Sequence, residues 1–225
     1  MKPYPEKDKT RINTLELNHS QQNEVPSLTG VVRVLLMRHG ETPGNKKGIV
    51  QGCVNESLSD KGIDQVAAVS SILSDEKIDV IYTSDLKSAV ESAGMIGRGN
   101  SVQVLTENGF REQQLGICQG TTVTSFLRTI RRAKQTSETF CPEGGEDPET
   151  FRKRALDSFL EVTAKHQDKT ILLLTHTGVI KCIIQYLFGS GLPRGFLNQG
   201  LRNASVTDLR LNPNEVSLNK IYIAV

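Results

Sequence analysis

The chain has 225 residues, 37% of them hydrophobic and 23% charged, the composition of a soluble globular protein large enough for one sizeable core. A net charge of +2 argues against nucleic acid or an anionic membrane as a partner, so any positive potential must be local. The four cysteines form no CxxC pair and read as reduced thiols of a cytoplasmic protein, the start lacks an apolar signal core, and no apolar run approaches the roughly 20 residues of a membrane span.

Residues 1–29 are polar, carry Pro3, Pro5 and Pro26, and show little periodicity, so a poorly ordered tail is expected ahead of one domain over 30–225. The apolar run 31–37 reads as a buried strand. Residues 59–73 place Ile63, Val66, Ala67, Ser70 and Leu73 at helical spacing behind an N-cap at Ser59. A short strand at 80–82 precedes a helix over 86–96, ended by Gly97 and Gly99. A third strand is expected at 102–105, and helices at 122–134 and 147–166. Residues 171–174 form a fourth strand, apolar on both faces, followed by a helix over 178–188. Two closing strands are expected at 205–211 and 220–224. Strands alternating with helices predict an α/β three-layer sandwich with a mostly parallel central sheet and helices on both faces.

Ligands of such sheets bind where strands end. The first strand runs into Arg38-His39-Gly40-Glu41-Thr42, and the fourth into Thr175-His176-Thr177-Gly178. A lone histidine is ordinarily a satisfied core or surface residue. Here His39 stands beside a cation and a glycine, and a second histidine follows an equivalent strand. A neutral imidazole can attack phosphorus. Arg38 can hold two phosphate oxygens in a fork. A cationic His176 at a helix start could stabilise the transferring group. Cleaving a phosphate ester also needs a proton donor for the leaving oxygen. Glu112 suits that role when partly buried, although spacing alone does not choose it over Glu107. The histidines lack a third ligand at metal spacing, and the Gly-rich stretch 44–52 has no Walker sequence, so neither a metal nor a nucleotide is implied.

Taken together, these residues resemble the histidine phosphatase superfamily, the phosphoglycerate mutase-like fold, over roughly residues 31–211. The signature is Arg38-His39-Gly40-Glu41-Thr42 with Asn45. It is supported by Leu58-Ser59 with Gly62, Gln65 and Ala67, by Ser84-Asp85-Leu86, and by Glu112 with Leu115-Gly116 and Gly120. Pro142-Glu143-Gly144-Gly145-Glu146, His176 with Gly178, and Asn203-Ala204-Ser205-Val206 extend it. The segments around Glu112 and Pro142 are most similar to the small phosphatases of the TIGAR and fructose-2,6-bisphosphatase type.

The resemblance implies a phosphatase that uses no cofactor and no metal and acts on a small-molecule phosphate ester, with a sugar phosphate as a candidate. His39 would be the phosphorylated nucleophile and Glu112 the proton donor. Arg38, Asn45, His176 and Thr177 would line the phosphate pocket, and Gln51, Gly52, Ser88 and Lys181 are candidate contacts to the rest of the substrate. Ser88 stands where the family usually carries a second phosphate-binding arginine, and Thr177 where glycine is common. Lys181, one turn into the last core helix, could supply a positive charge from another direction. A phosphoglycerate mutase, or a weakened pseudophosphatase that binds phospho-ligands, are the competing readings.

Overall fold

The computed structural model describes residues 12–22, 28–189 and 196–224. In chain order these form β1 (Ile12–Gln22), β2 (Val32–Arg38), α1 (Pro43–Lys46), α2 (Asp60–Leu73), β3 (Val80–Thr83), α3 (Lys87–Asn100) and β4 (Val104–Thr106). Then follow α4 (Val123–Arg132), α5 (Pro148–Lys165), β5 (Thr170–Thr175), α6 (Thr177–Phe188), α7 (Phe196–Gln199), β6 (Val206–Leu211) and β7 (Glu215–Ala224). One seven-stranded sheet has the order β1-β7-β6-β2-β5-β3-β4.

Side chains alternate across a strand, and β2 and β5 use the alternation to feed two cores. Val34, Leu36, Ile171 and Leu173 pack with Phe151, Phe159, Ile180 and Ile184 of α5 and α6 on one face. Leu35, Met37, Leu172 and Leu174 pack with Val66, Val69, Leu73, Ala93 and Ile96 of α2 and α3 on the other. This is the expected three-layer sandwich. Ser59 caps α2 as its position suggested, its Oγ accepting the Gly62 N–H over 3.1 Å.

The sheet is mixed rather than mostly parallel. β2, β5, β3 and β4 are parallel neighbours, as helical crossovers require. β6 and β7 are joined by a short connection and can only run antiparallel, and β6 also runs antiparallel to β2. The reading of 1–29 as an unstructured tail needs correction over its middle. Ile12–Gln22 pairs antiparallel with β7 along its length. An edge strand needs one apolar face at most, and its backbone bonds do not depend on side-chain type, so a polar edge strand leaves little periodicity to read. The remainder of that reading, 1–11 and 23–27, lies outside the described residues. The α3 helix also runs through Gly97 and Gly99 to a left-handed C-cap at Ser101, φ 54°. Gly97 is kept because a Cβ there would press on Val104, at 2.6 Å. Among the described residues no helix is long and apolar enough to cross a membrane.

Candidate active site

The parallel register of β2 and β5 places Arg38 opposite Thr175, so the residues that follow each strand emerge side by side. The His39 N–H donates to the Thr175 carbonyl over 3.1 Å. The rings of His39 and His176 stand 4.9 Å apart, inclined at 56°. Both are almost wholly buried, each 4% exposed. On the other side of β5, β3 ends at Thr83 and delivers Ser84. Its N–H donates to the Leu174 carbonyl at 3.0 Å, and its Oγ lies 2.9 Å from Nε2 of His176. Three strand ends thus converge on one spot, which is what a parallel sheet does with its carboxyl edge.

Nδ1 of His39 lies 2.8 Å from the Gly40 carbonyl. A carbonyl can only accept, so Nδ1 carries the hydrogen and Nε2 of the neutral ring keeps its lone pair. Burial, with the Arg38 charge beside it, pushes the His39 pKa down to about 3. The nucleophilic form is therefore the resting form at neutral pH. Burial lowers His176 well below 6.5 as well, helped by His39, Arg38 and Arg154. Burial thus favours the neutral ring of His176 over the cationic form expected from sequence.

Arg38 is the adjacent charge. Burial pulls its pKa down to about 10, against the pull of Glu112, and at neutral pH it remains a cation. One of its terminal nitrogens donates to the Leu201 carbonyl at 2.6 Å, while Nε is buried without a partner. A buried guanidinium with an unpaired N–H is built to receive an anion.

Glu112 reaches the site from a loop between the short helical turns Asn108–Phe110 and Gly116–Cys118. Its Oε2 accepts the N–H of Gly178 at 2.9 Å and its Oε1 that of Gln113 at 2.9 Å. His176 caps α6 without a side-chain bond, and the Glu112 carboxylate fills that place. The loop is held by Arg154 of α5. Its Nη1 donates to the carbonyls of Gly109 (2.8 Å) and Arg111 (2.9 Å), and its Nη2 to that of Glu112 (3.0 Å). Its Nε and Nη2 also fork onto Glu146 at 2.7 and 2.8 Å. The hydroxyl of Thr175 donates to the Phe110 carbonyl at 2.8 Å and pins the same loop to β5. Glu107, the other carboxylate weighed from sequence, instead caps the turn at Gly109 and accepts from Ser158.

The remaining candidates divide. The Asn45 amide donates to Gln51 Oε1 at 2.8 Å and accepts from Asn203 at 2.9 Å, and Asn203 also donates to the His39 carbonyl at 3.3 Å. Gln51 in turn donates to Thr42 Oγ1 at 2.7 Å and to Glu56. Asn45 and Gln51 therefore belong to the polar brace under the His39 turn. Gly52 has a positive φ of 52° and admits the Gln119 side chain against its backbone. Ser88 is buried in the first turn of α3. Its carbonyl accepts from Ser92 Oγ at 2.7 Å, and that same Oγ accepts the Gly40 N–H at 3.2 Å. Thr177 and Lys181 line a cavity of about 400 Å³ with Glu112, Phe126, Phe151 and Arg152. Lys181 therefore faces the space next to Glu112. Among the described residues no cluster of three or more His, Cys, Asp or Glu side chains is placed to hold a metal ion.

Sequence reasoning missed Arg154. It also gave no structural part to Thr42 or to the Ser84 hydroxyl. Only the pairing of distant segments brings these groups to the site.

The family model of the histidine phosphatase superfamily, branch 1, matches residues 34–224. Phosphoglycerate mutase-like protein 4 of Arabidopsis thaliana is 31% identical over 185 residues, 79% of this chain and 79% of the relative. A metal-independent phosphoserine phosphatase of the same plant is 29% identical over 166 residues, 68% of this chain and 67% of the relative. The native structure of a mycobacterial glucosyl-3-phosphoglycerate phosphatase superposes with a TM-score of 0.68 at 27% identity, covering 80% of this chain and 90% of that one. The TIGAR type is one likeness among several rather than a distinct branch for this chain.

Proposed function

The chain belongs to branch 1 of the histidine phosphatase superfamily, and from that premise we propose that it hydrolyses phosphate monoesters through a phosphohistidine at His39. The observation that carries this reading is the neutral His39 ring, whose Nδ1–H is held by Gly40 and whose bare Nε2 stands beside Arg38 and His176. The Arg38 guanidinium binds the phosphoryl oxygens. His39 Nε2 attacks phosphorus as the ester P–O bond breaks, and the leaving oxygen takes a proton from the Glu112 carboxyl group. The positive charge that develops on the imidazole is shared with the Gly40 carbonyl through Nδ1–H. In the second half, the Glu112 carboxylate takes a proton from water, the resulting oxygen attacks phosphorus, and the P–N bond breaks. Inorganic phosphate leaves, and His39 and Glu112 return to their starting forms. No step uses a metal, in keeping with the metal-independent relative.

The leaving alcohol would occupy the cavity next to Glu112. Its volume of about 400 Å³ falls within the range of small-molecule sites, about 300–1,000 Å³, and is enough for a sugar-sized group. Phe126 and Phe151 supply apolar wall, and Lys181 and Arg152 supply positive charge.

The test compares the protein with His39→Ala on 4-nitrophenyl phosphate and on a panel of sugar phosphates, with circular dichroism as the folding check. Labelled phosphate trapped on protein, stable to alkali and labile to acid, is expected for the parent chain only. Equal turnover by the two folded proteins would end the proposal.

A further inference from the structure

The mechanism above leaves one buried hydroxyl without a task. Ser84 closes β3 and is fully buried, so no bulk water reaches it. Its Oγ accepts the Leu86 N–H at 3.2 Å and lies 2.9 Å from Nε2 of His176. A hydroxyl has one hydrogen and two lone pairs. One lone pair is engaged by Leu86, and among the described residues the hydrogen has a single acceptor, His176 Nε2. The hydroxyl therefore donates, and Nε2 is the bare nitrogen of the ring. A neutral imidazole with a bare Nε2 carries its hydrogen on Nδ1. Among the described residues Nδ1 of His176 has no hydrogen-bond partner.

The two rings are thus set in opposite senses. His39 gives its Nδ1–H to Gly40 and faces the site with a lone pair. His176 gives its Nε2 lone pair to Ser84, which leaves an N–H. We propose that Ser84 is a positioning residue that locks His176 as the Nδ1–H tautomer, so that an uncharged ring donates a hydrogen bond to the phosphoryl group that His39 attacks. The opposite tautomer would turn a lone pair toward the phosphoryl oxygens and repel them. The assignment bears more weight in this chain because Ser88 offers no guanidinium. Burial, with the charges of His39, Arg38 and Arg154, holds His176 toward its neutral form. The Glu112 carboxylate at the start of α6 is the anion nearest in the fold, and both its oxygens are engaged by the N–H groups of Gly178 and Gln113.

The catalytic meaning rests on the phosphatase reading, but the tautomer does not, and the measurement separates them. Long-range proton–nitrogen correlation spectra of the full uniformly labelled chain at pH 7 read each imidazole nitrogen directly. Single His→Gln variants assign the four histidines. The expected result is a protonated Nδ1 and a bare Nε2 for His176. A proton on Nε2, or a cationic ring, overturns the proposal even if the protein is an active phosphatase. Ser84→Ala is expected to mix the tautomers and lower kcat/KM on 4-nitrophenyl phosphate by about 10- to 100-fold, as loss of an oriented donor does. Ser84→Thr, which keeps the hydroxyl, is expected to restore both readouts. A folded Ser84→Ala variant with unchanged tautomer and rate would sink the idea. Should Ser84→Ala fail to fold, the parent spectrum still decides. Should no ester be turned over at all, the phosphatase reading falls and the tautomer stands or falls on the spectrum alone.

Discussion

The Gly178 N–H and Oε2 of Glu112 lie 2.9 Å apart, and a Cβ on Gly178 would collide with the other oxygen of the same carboxylate. It would also stand 3.0 Å from the Phe151 ring. The glycine is what lets a carboxylate cap α6 and face the site at once. Gly178→Ala is expected to displace Glu112 without touching His39. General acid catalysis contributes about 10²–10⁴-fold, and most where the leaving group is poor. Turnover of an alkyl phosphate should therefore fall far more than that of 4-nitrophenyl phosphate, whose leaving group needs little protonation. Parallel losses on the two esters would mean that Glu112 is not the proton donor.

Arg154 holds the loop on which that donor sits. All five of its N–H groups are engaged, three on the carbonyls of Gly109, Arg111 and Glu112 and two on Glu146. Lysine keeps the charge but cannot reproduce a planar fork. Arg154→Lys is expected to cost about 2 kcal/mol, from hydrogen bonds to a charged group that are lost or weakened. For a chain of this size that is roughly 4–8 °C in Tm. It should lower kcat by about tenfold with KM little changed, because Arg154 touches backbone rather than substrate. Calorimetry and steady-state kinetics check the two halves, and a rise in KM alone would place Arg154 at the substrate.

The fold was legible where side chains report on burial. The apolar runs of β2 and β5 and the helical spacing of α2 follow from cores on both faces, and each is readable from residue type. The polar strand β1 was not legible, because its pairing with β7 is made by backbone. The site divides in the same way. His39, Glu112 and His176 are residue types whose chemistry suggests itself, and the strand ends foretold that His39 and His176 would meet. Arg154 and Ser84 act through hydrogen bonds to segments more than 40 residues away, so although Ser84 lies in a recognised motif, nothing near either residue in sequence shows what it holds. Asn45 and Gln51 were recognised as polar and expected at the ligand, and sequence did not show that their amides are also tied into a brace with Thr42, Glu56 and Asn203.

Ser88 sits in the first turn of α3, buried, with its backbone tied through Ser92 to Gly40. Restoring a guanidinium there should add a charge-assisted contact to the bound dianion, about 1.5–3 kcal/mol. Fully expressed in the transition state, that is about one to two decades in rate. Ser88→Arg is therefore expected to raise kcat/KM on 4-nitrophenyl phosphate about 10- to 100-fold. A gain confined to the affinity for inorganic phosphate, with no change in turnover, would instead favour a phospho-ligand sensor.

Two neutral buried rings also set how the fold responds to acid. An unfolded histidine takes up a proton near 6.5, whereas folded His39 refuses it until about 3, and His176 is lowered in the same direction by burial. Between those values the unfolded chain binds more protons, so stability falls as pH falls below about 6.5. His166, also lowered chiefly by burial, pushes the same way. The lowered carboxyl groups of Glu76 and Asp85, each held down first by an arginine hydrogen bond, act only below their ordinary values of 4.5 and 3.8. The window from pH 7 to pH 5 therefore isolates the histidines. The His39 ring should cost about 2 kcal/mol by pH 5, at about 1.4 kcal/mol per pH unit, and His176 adds to the fall in the same direction. Thermal melts in phosphate-free buffer are expected to show a steep fall in Tm across that window for the parent chain and a shallower one for His39→Gln. Phosphate must be absent because a bound dianion favours the charged ring. An equal slope in the two proteins would mean that His39 accepts its proton in the folded state, and the resting nucleophile would then have to be reassigned.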